Sequence, residues 1–167
     1  MDFIQYTLNW CKGEIFEGKL LALYGVAIIC IAFLFWKFGS TLFAKKMFIP
    51  MLIIGLLCAL IGGSLVANNN KRIVDFQKSY QEKPAQFVKD EKVRTEAFIK
   101  WYPYTRYIMA AIIIVGLICH LFWNAPWPRT IGLGLILLAF SVLFLDHFSE
   151  ERAETYHEKI IQELKEE

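Results

Sequence analysis

Four long stretches of the chain lack any charged side chain. Residues 20–36, 47–67, 107–123 and 130–145 contain no Asp, Glu, Lys or Arg. Each stretch has 16 to 21 residues, enough for a helix to cross a hydrocarbon core about 30 Å thick. With a hydrophobic content of 56% and a mean hydropathy of +0.41, the composition excludes an ordinary soluble domain. The net charge of +2 gives no indication of a nucleic-acid partner.

The sequence also lacks the motifs of several enzyme classes. Its four cysteines form no Cys-x-x-Cys pair, which excludes a thiol oxidoreductase and a common type of zinc site. Three widely separated histidines are too few for the clustered histidines of membrane desaturases. Proton relays and carriers of charged solutes keep ionisable residues near the bilayer midplane, whereas here only His120 lies inside an apolar stretch, close to its outer end. We therefore predict no cofactor, and the sequence favours a non-enzymatic protein.

The apolar stretches predict an all-α fold: a polytopic membrane protein with a bundle of four transmembrane helices and a small helical cytoplasmic cap. Transmembrane helices 1 and 2 belong to residues 20–67, and helices 3 and 4 to residues 107–145. Fourteen of the eighteen basic residues lie before the first span, in the 68–106 connection or in the tail. Because Lys and Arg near spans stay in the cytoplasm, both termini and this connection are predicted to be cytoplasmic. A compact chain that inserts directly favours a bacterial inner membrane.

The three hydrophilic segments have helical patterns of their own. Residues 1–19 are predicted to form an amphipathic helix along the inner membrane surface. The 68–106 connection is predicted to continue the second span and, after a break at Lys83, to form a helix that begins at Pro84. Residues 146–167 predict an acidic tail helix with an apolar stripe formed by Ala153, Tyr156, Ile160 and Leu164. Each segment thus has an apolar face that needs cover.

Charge predicts how these segments meet. The 68–106 connection has nine basic and five acidic residues, whereas the 146–167 tail has three basic and eight acidic residues. Opposite charge balances favour docking of the tail on the connection, which builds the cap. The alternative is two solvated helices that never touch, since single surface pairs contribute only about 0 to 1 kcal/mol. Basic side chains of the connection are also candidates for binding a cytoplasmic protein partner: Lys89, Lys92 and Arg94.

Small residues recur at every fourth position of the second span, at Gly55, Ala59, Gly63 and Ala67. Such a groove lets another helix approach closely, which favours helix association in lipid. The helix that fills this groove belongs either to the same chain or to another subunit of a homo-oligomer. Self-association is therefore expected in addition to contact with the lipid bilayer.

Acidic and histidine side chains gather where the fourth span ends. The predicted topology brings Glu14 and Glu17 of the first helix to this level. A single Glu-x-x-His step, of the kind that occurs in pairs in di-metal bundles, lies farther along the tail. The pattern leaves two interpretations, a metal site and an acidic helix that faces water, of which the second is favoured. The candidate metal ligands are His147, Glu150, Glu151, Glu154 and His157.

Three functions are consistent with these features. The first is a non-enzymatic membrane module, such as a scaffold, a sensor or an immunity-type protein, whose cytoplasmic helices bind a partner and couple to the transmembrane bundle. The second is a homo-oligomeric channel or pore that is gated by the cap. The third is a metal-dependent membrane enzyme at the inner interface. The sequence favours the first, because it has amphipathic hydrophilic segments and no complete catalytic motif.

Overall fold

The computed structural model describes residues 3–166, which form five α-helices joined by short connections, with no strand among them. In chain order the helices are α1 (Phe3–Phe38), α2 (Leu42–Glu82), α3 (Pro84–Ile99), α4 (Tyr102–Phe122) and α5 (Pro126–Glu166). The predicted all-α fold is therefore confirmed.

Four helical segments are long and apolar enough to cross a membrane. The apolar part of α1 packs against α2, and α4 packs against α5. Helix α5 joins the two pairs through further contacts with α1 and α2. Helix α4 lies at the outside, since Gly116 is its one buried residue. The four segments thus form a helical bundle that is compatible with a membrane protein.

Three of these helices extend well beyond their apolar stretches. The ends of α1, α2 and α5 pack with α3 into a helical unit that we call the polar cap, which comprises residues 3–19, 68–106 and 146–166. Because α1, α2 and α5 enter the cap without a break, the cap and the apolar bundle share the same helices. The buried core of the cap consists of Phe3, Trp10, Cys11, Phe87, Val88, Tyr156 and Ile160.

The N-terminal segment differs from the sequence prediction. Instead of forming a separate helix on a membrane surface, residues 3–19 are the first turns of α1, which runs unbroken to Phe38. Its apolar residues Phe3, Trp10 and Cys11 are buried in the cap core. The apolar face is therefore covered by the other cap helices. Residues 1 and 2 of the predicted segment lie outside the described residues.

Local sequence explains where the helices begin. Helix α2 starts after Thr41, whose side chain accepts a hydrogen bond of 3.1 Å from the backbone N–H of Ala44. This bond satisfies one of the free N–H groups at a helix N-terminus. Pro84 occupies the first turn of α3, as predicted, where the absence of an N–H group has no cost. The break at Lys83 therefore turns the chain back into the cap.

The contact between α1 and α2 depends on glycine. A Cβ atom at Gly25 would lie 2.5 Å from the carbonyl oxygen of Gly55, and one at Gly62 would lie 2.5 Å from the carbonyl oxygen of Gly18. On each helix the two glycines are seven residues apart, a spacing that keeps them on one side of a left-handed helix pair. The two backbones therefore meet at distances that leave no room for a side chain.

This contact includes only part of the groove predicted from the sequence. Gly55 and Ala59 face α1, but a Cβ atom at Gly63 would meet nothing within 4 Å, and Ala67 is exposed. The contact contains Gly62 instead of Gly63, because a seven-residue repeat follows one helix face more closely than a four-residue repeat. Adjacent helical residues point about 100° apart, so Gly63 lies away from α1.

Candidate functional site

Polar side chains in the cap are joined in a network that we call the cap network: Thr7, Glu91, Arg94 and Tyr156. The Tyr156 hydroxyl donates a hydrogen bond of 2.8 Å to Glu91 and accepts one of 2.9 Å from Thr7. Arg94 donates two hydrogen bonds to Glu91, of 2.7 and 2.6 Å. Thr7, Glu91 and Tyr156 are at most 3% exposed. The cap network therefore connects α1, α3 and α5 at one buried point.

Burial and neighbouring charge shift the pKa values of two members of the cap network, Tyr156 and Arg94. Burial, reinforced by the charge of Glu91, raises the pKa of Tyr156, so its hydroxyl stays a neutral donor. Burial alone would lower the pKa of Arg94, but its hydrogen bonds to Glu91 and the charge of that carboxylate raise it. A buried charge pair with satisfied hydrogen bonds specifies one arrangement of the helices around it. The cap network thus holds α1, α3 and α5 in one relative arrangement.

Aromatic rings enclose the Arg94 side chain. Its guanidinium carbon lies 4.6 Å from the ring centre of Trp10 and 5.3 Å from those of Phe76 and Phe98. A cation over aromatic faces is stabilised by the ring quadrupoles, most strongly where water is excluded. Arg94 therefore belongs to the cap core, with Glu91 as its counter-ion.

The position of Arg94 differs from those of Lys89 and Lys92, with which the sequence groups it as a candidate for binding a partner. Positions 87, 91, 94 and 98 share one face of α3 at helical spacing, and this face packs into the cap core. Lys89 and Lys92 lie on the outer side of the helix and are exposed or half-buried. Lys89 and Lys92 are thus the more accessible residues of the predicted set, because Arg94 is bound to Glu91 and its side chain is only 27% exposed.

A second network, the boundary network, lies where the cap meets the apolar bundle and consists of Glu14, Glu17, Tyr102, Ser149 and Arg152. The two terminal nitrogens of Arg152 donate to Glu14 at 2.8 Å and to Glu17 at 2.5 Å. Ser149 donates to Glu14 at 3.3 Å, and the Tyr102 hydroxyl lies 3.0 Å from the Ser149 hydroxyl. Glu14 and Glu17 are 7% and 8% exposed. The boundary network thus joins α1, α4 and α5.

The local sequence of α1 makes room for this arrangement. Glu14 and Glu17 are three positions apart and so share one helix face, on which both reach Arg152. A Cβ atom at Gly13 would lie 2.8 Å from the Cδ and Nε atoms of Arg152, so the arginine side chain crosses α1 where there is no side chain. Burial raises the pKa of Tyr102 to about 12, which keeps its hydroxyl a neutral donor at physiological pH.

The predicted and observed partners of Glu14 and Glu17 differ. The two carboxylates lie level with the end of the fourth apolar stretch, as the sequence indicates, but they bind Arg152. Arg152 and Tyr102 were not predicted as site residues. One signal was available, since Arg152 is the single arginine of residues 146–167 and a guanidinium suits two carboxylates better than a lysine ammonium does.

The five candidate metal ligands do not converge. Glu150 forms an ion pair of 2.5 Å with Arg106, and His157 lies 4.0 Å from Glu96 of α3. Across the part of the chain that the structure describes, no group of three or more His, Cys, Asp or Glu side chains is placed to hold a metal ion. The geometry therefore gives the metal hypothesis no support. Three of the candidates are exposed on α5: His147, Glu151 and Glu154.

The tail packs against α3, as the opposite charges of the two segments led us to expect, but apolar contact dominates the interface. Tyr156 and Ile160 of α5 belong to the same buried cluster as Phe87 and Val88 of α3. The His157–Glu96 ion pair across this interface is 4.0 Å long and needs a protonated histidine. Burial of these apolar side chains is a larger stabilising term than a half-exposed ion pair.

The two networks are built from the same kinds of contact. In each of them the carboxylates are bound by an arginine, and a hydroxyl donates to a carboxylate, Tyr156 to Glu91 and Ser149 to Glu14. Their chemistry is suited to holding four helices in one arrangement. No family model matches the chain, and no curated protein and no solved structure shows significant similarity to it.

Proposed function

We propose that this protein is a non-enzymatic integral membrane module whose cap binds a cytoplasmic protein and transmits that binding to the transmembrane bundle. Helical continuity is the observation that carries the proposal, because α1, α2 and α5 pass unbroken from the apolar bundle into the cap. The cap network and the boundary network hold the cap helices together. A displacement of the cap therefore moves the ends of three spanning helices together.

The proposed orientation puts the cap and both termini in the cytoplasm, in a bacterial inner membrane, and it can be tested with single cysteines. In a variant with its native cysteines replaced by serine or alanine, Ser40→Cys probes the α1–α2 turn and Gln81→Cys probes the cap. A membrane-impermeant maleimide is expected to label position 40 in intact cells and position 81 only after permeabilisation. Labelling of both positions in intact cells, or the reverse pattern, would contradict the orientation.

The outer face of α3 has the composition of a docking surface. Val93 is 68% exposed, and Lys89 lies one turn before it on the same exposed side. Lys92 is 3.9 Å from Glu96, and both side chains are about two-fifths exposed. An exposed apolar side chain with basic neighbours suits a partner segment that combines acidic and apolar side chains.

Photo-cross-linking in cells tests this surface directly. A photoreactive amino acid in place of Val93 is expected to capture one protein of defined mass, because position 93 lies at the centre of the proposed surface. The double variant Lys89→Glu/Lys92→Glu should reduce the cross-linked band at least about fivefold, since like charges across an interface oppose binding. The band is measured by immunoblotting against a tag on this chain.

Lys78→Glu provides the matched control, since Lys78 is an exposed cap lysine on α2. It should leave the band unchanged. A cross-link of equal intensity in the double variant, equal loss in the control, or no cross-link at position 93 would each overturn the docking surface. Self-association through the exposed Gly63 and Ala67 stays a prediction.

A further inference from the structure

A large cavity lies between α1 and α5, at the level where the apolar bundle meets the cap. Its volume is about 920 Å³. Glu17 and Arg152 line its polar end. Three of its apolar lining residues, Phe16, Leu20 and Phe144, are 50% to 69% exposed. The cavity is therefore an apolar groove that no other helix within residues 3–166 covers.

A second cavity of about 470 Å³ extends the groove into the polar cap. The two cavities share Phe148 and Arg152 as lining residues. Much of the wall of the second cavity is aromatic, from Tyr6, Trp10, Phe148 and Tyr156, and its charged lining residues are Glu151, Arg152 and Lys159. Together the two cavities form one cleft with an apolar end and a charged end, which matches the shape of an amphiphile.

Four charged side chains line the polar end of the cleft, and the carboxylate of Glu14 also binds Arg152 there. Arg152 and Lys159 supply two cations, and Glu17 and Glu151 supply two carboxylates. Arg152 has five N–H donors, and its two hydrogen bonds to the boundary network leave others free. Glu151 is exposed. A headgroup with both a phosphate and an ammonium complements this pattern, whereas a purely anionic headgroup gains no net attraction from it.

We infer that this cleft binds one zwitterionic phospholipid with a primary-amine headgroup. Its acyl chains lie along the apolar wall formed by α1 and α5. Its phosphate lies between Arg152 and Lys159, and its ammonium donates to the carboxylate of Glu151. The inference concerns the α1–α5 cleft and is independent of the partner surface on α3.

Native mass spectrometry of the full chain in detergent tests this inference. Phosphatidylethanolamine and phosphatidylglycerol with identical acyl chains are the two probes. We expect one tightly retained phosphatidylethanolamine per chain, with an apparent affinity at least about fivefold higher than that of phosphatidylglycerol, because only the former pairs with both signs of charge. Equal affinities, or a preference for phosphatidylglycerol, would overturn the headgroup assignment.

Two variants locate the headgroup, and a third is the control. Glu151→Gln and Lys159→Gln should each weaken phosphatidylethanolamine binding about three- to tenfold, since each removes a charged hydrogen-bonding partner. Lys165→Gln, at an exposed position of the same helix, should leave binding unchanged. Glu151 and Lys165 are exposed and Lys159 is half-buried, and none of the three belongs to the buried core of the cap, so the fold is expected to be preserved. Equal effects of Lys159→Gln and Lys165→Gln, with an opposite effect of Glu151→Gln, would show that the lipid responds to net charge alone and would overturn the inference.

A phosphatidylethanolamine with a diazirine in its acyl chain locates the apolar end. Its cross-links should map by peptide mass spectrometry to residues 16–24 of α1 and 140–148 of α5. Cross-links concentrated on the exposed face of α4 would instead show that lipid contacts the outermost helix without choosing the cleft, and the inference would fail.

Discussion

Replacement of Arg152 by leucine is expected to lower the free energy of unfolding by about 3 kcal/mol. The substitution leaves the carboxylates of Glu14 and Glu17, which are 7% and 8% exposed, without their shared counter-ion. Loss of one partner from a buried ion pair typically costs about 3 to 5 kcal/mol, and the partial exposure of the Arg152 side chain, 29%, places the effect at the lower end. Reversible unfolding in mixed detergent micelles, followed by circular dichroism, measures this change.

Two comparisons separate burial from charge in that experiment. Arg106→Leu removes an ion pair of equal length, 2.5 Å to Glu150. The Arg106 side chain is 55% exposed, so a loss below about 1 kcal/mol is expected. The triple variant Glu14→Gln/Glu17→Gln/Arg152→Leu should recover most of the stability, because it no longer buries unpaired charge. Equal losses of unfolding free energy for Arg106→Leu and Arg152→Leu would show that burial adds nothing to the stabilising effect of the boundary network.

Much of the fold follows from two simple sequence signals. The uncharged stretches define four long apolar helices, and the Lys83–Pro84 pair ends α2 and begins α3 at the expected place. Both signals are local, because they depend on composition and on the missing N–H group of proline. What they leave open is how far each helix continues past its apolar stretch.

The N-terminal segment shows why the length of a helix beyond its apolar stretch was not predictable. An amphipathic stripe containing Phe3 and Trp10 has the same pattern whether it meets lipid headgroups or other helices. The structure places both rings against Tyr156, with ring centres 6.2 and 5.6 Å away. Periodicity indicates that a face needs cover but does not identify what covers it. Here the cover is Tyr156, which is more than 140 residues away from Phe3 and Trp10 in the sequence.

The site residues show the same limit for charged side chains. A count of charges does not distinguish Arg94 from Lys89 and Lys92. Arg94 nevertheless points into an aromatic core, because it lies three residues after Glu91 on the same face of α3. Arg152 lies in an acidic segment and is indistinguishable by charge from a solvated counter-ion. Its role depends on Gly13, which makes room for the arginine on a distant helix. Neither the aromatic surroundings of Arg94 nor the role of Arg152 can be inferred from the sequence without knowing which helix packs beside it.

Adjacent glycines on α2 provide the sharpest test of the helix packing. Gly62→Ala is expected to lower the free energy of unfolding by about 2 to 3 kcal/mol, because its new Cβ atom would lie 2.5 Å from the backbone of α1 at both Gly18 and Ala22. Overpacking of this kind typically costs about 1 to 3 kcal/mol, and backbone atoms cannot rotate away. The free energy is measured by the same micellar unfolding assay.

Gly63→Ala is the matched control, one residue farther along the same helix. A Cβ atom there meets nothing within 4 Å, so we expect unchanged stability or a gain of up to about 1 kcal/mol from the higher helix propensity of alanine. If Gly63→Ala were instead the more damaging change, the four-residue groove that includes Gly63 and Ala67 would be the true contact face. If Gly63→Ala lowered the free energy of unfolding and also reduced the particle mass, the face that contains Gly63 would be a subunit interface. The new methyl group would then have displaced a second copy of the chain.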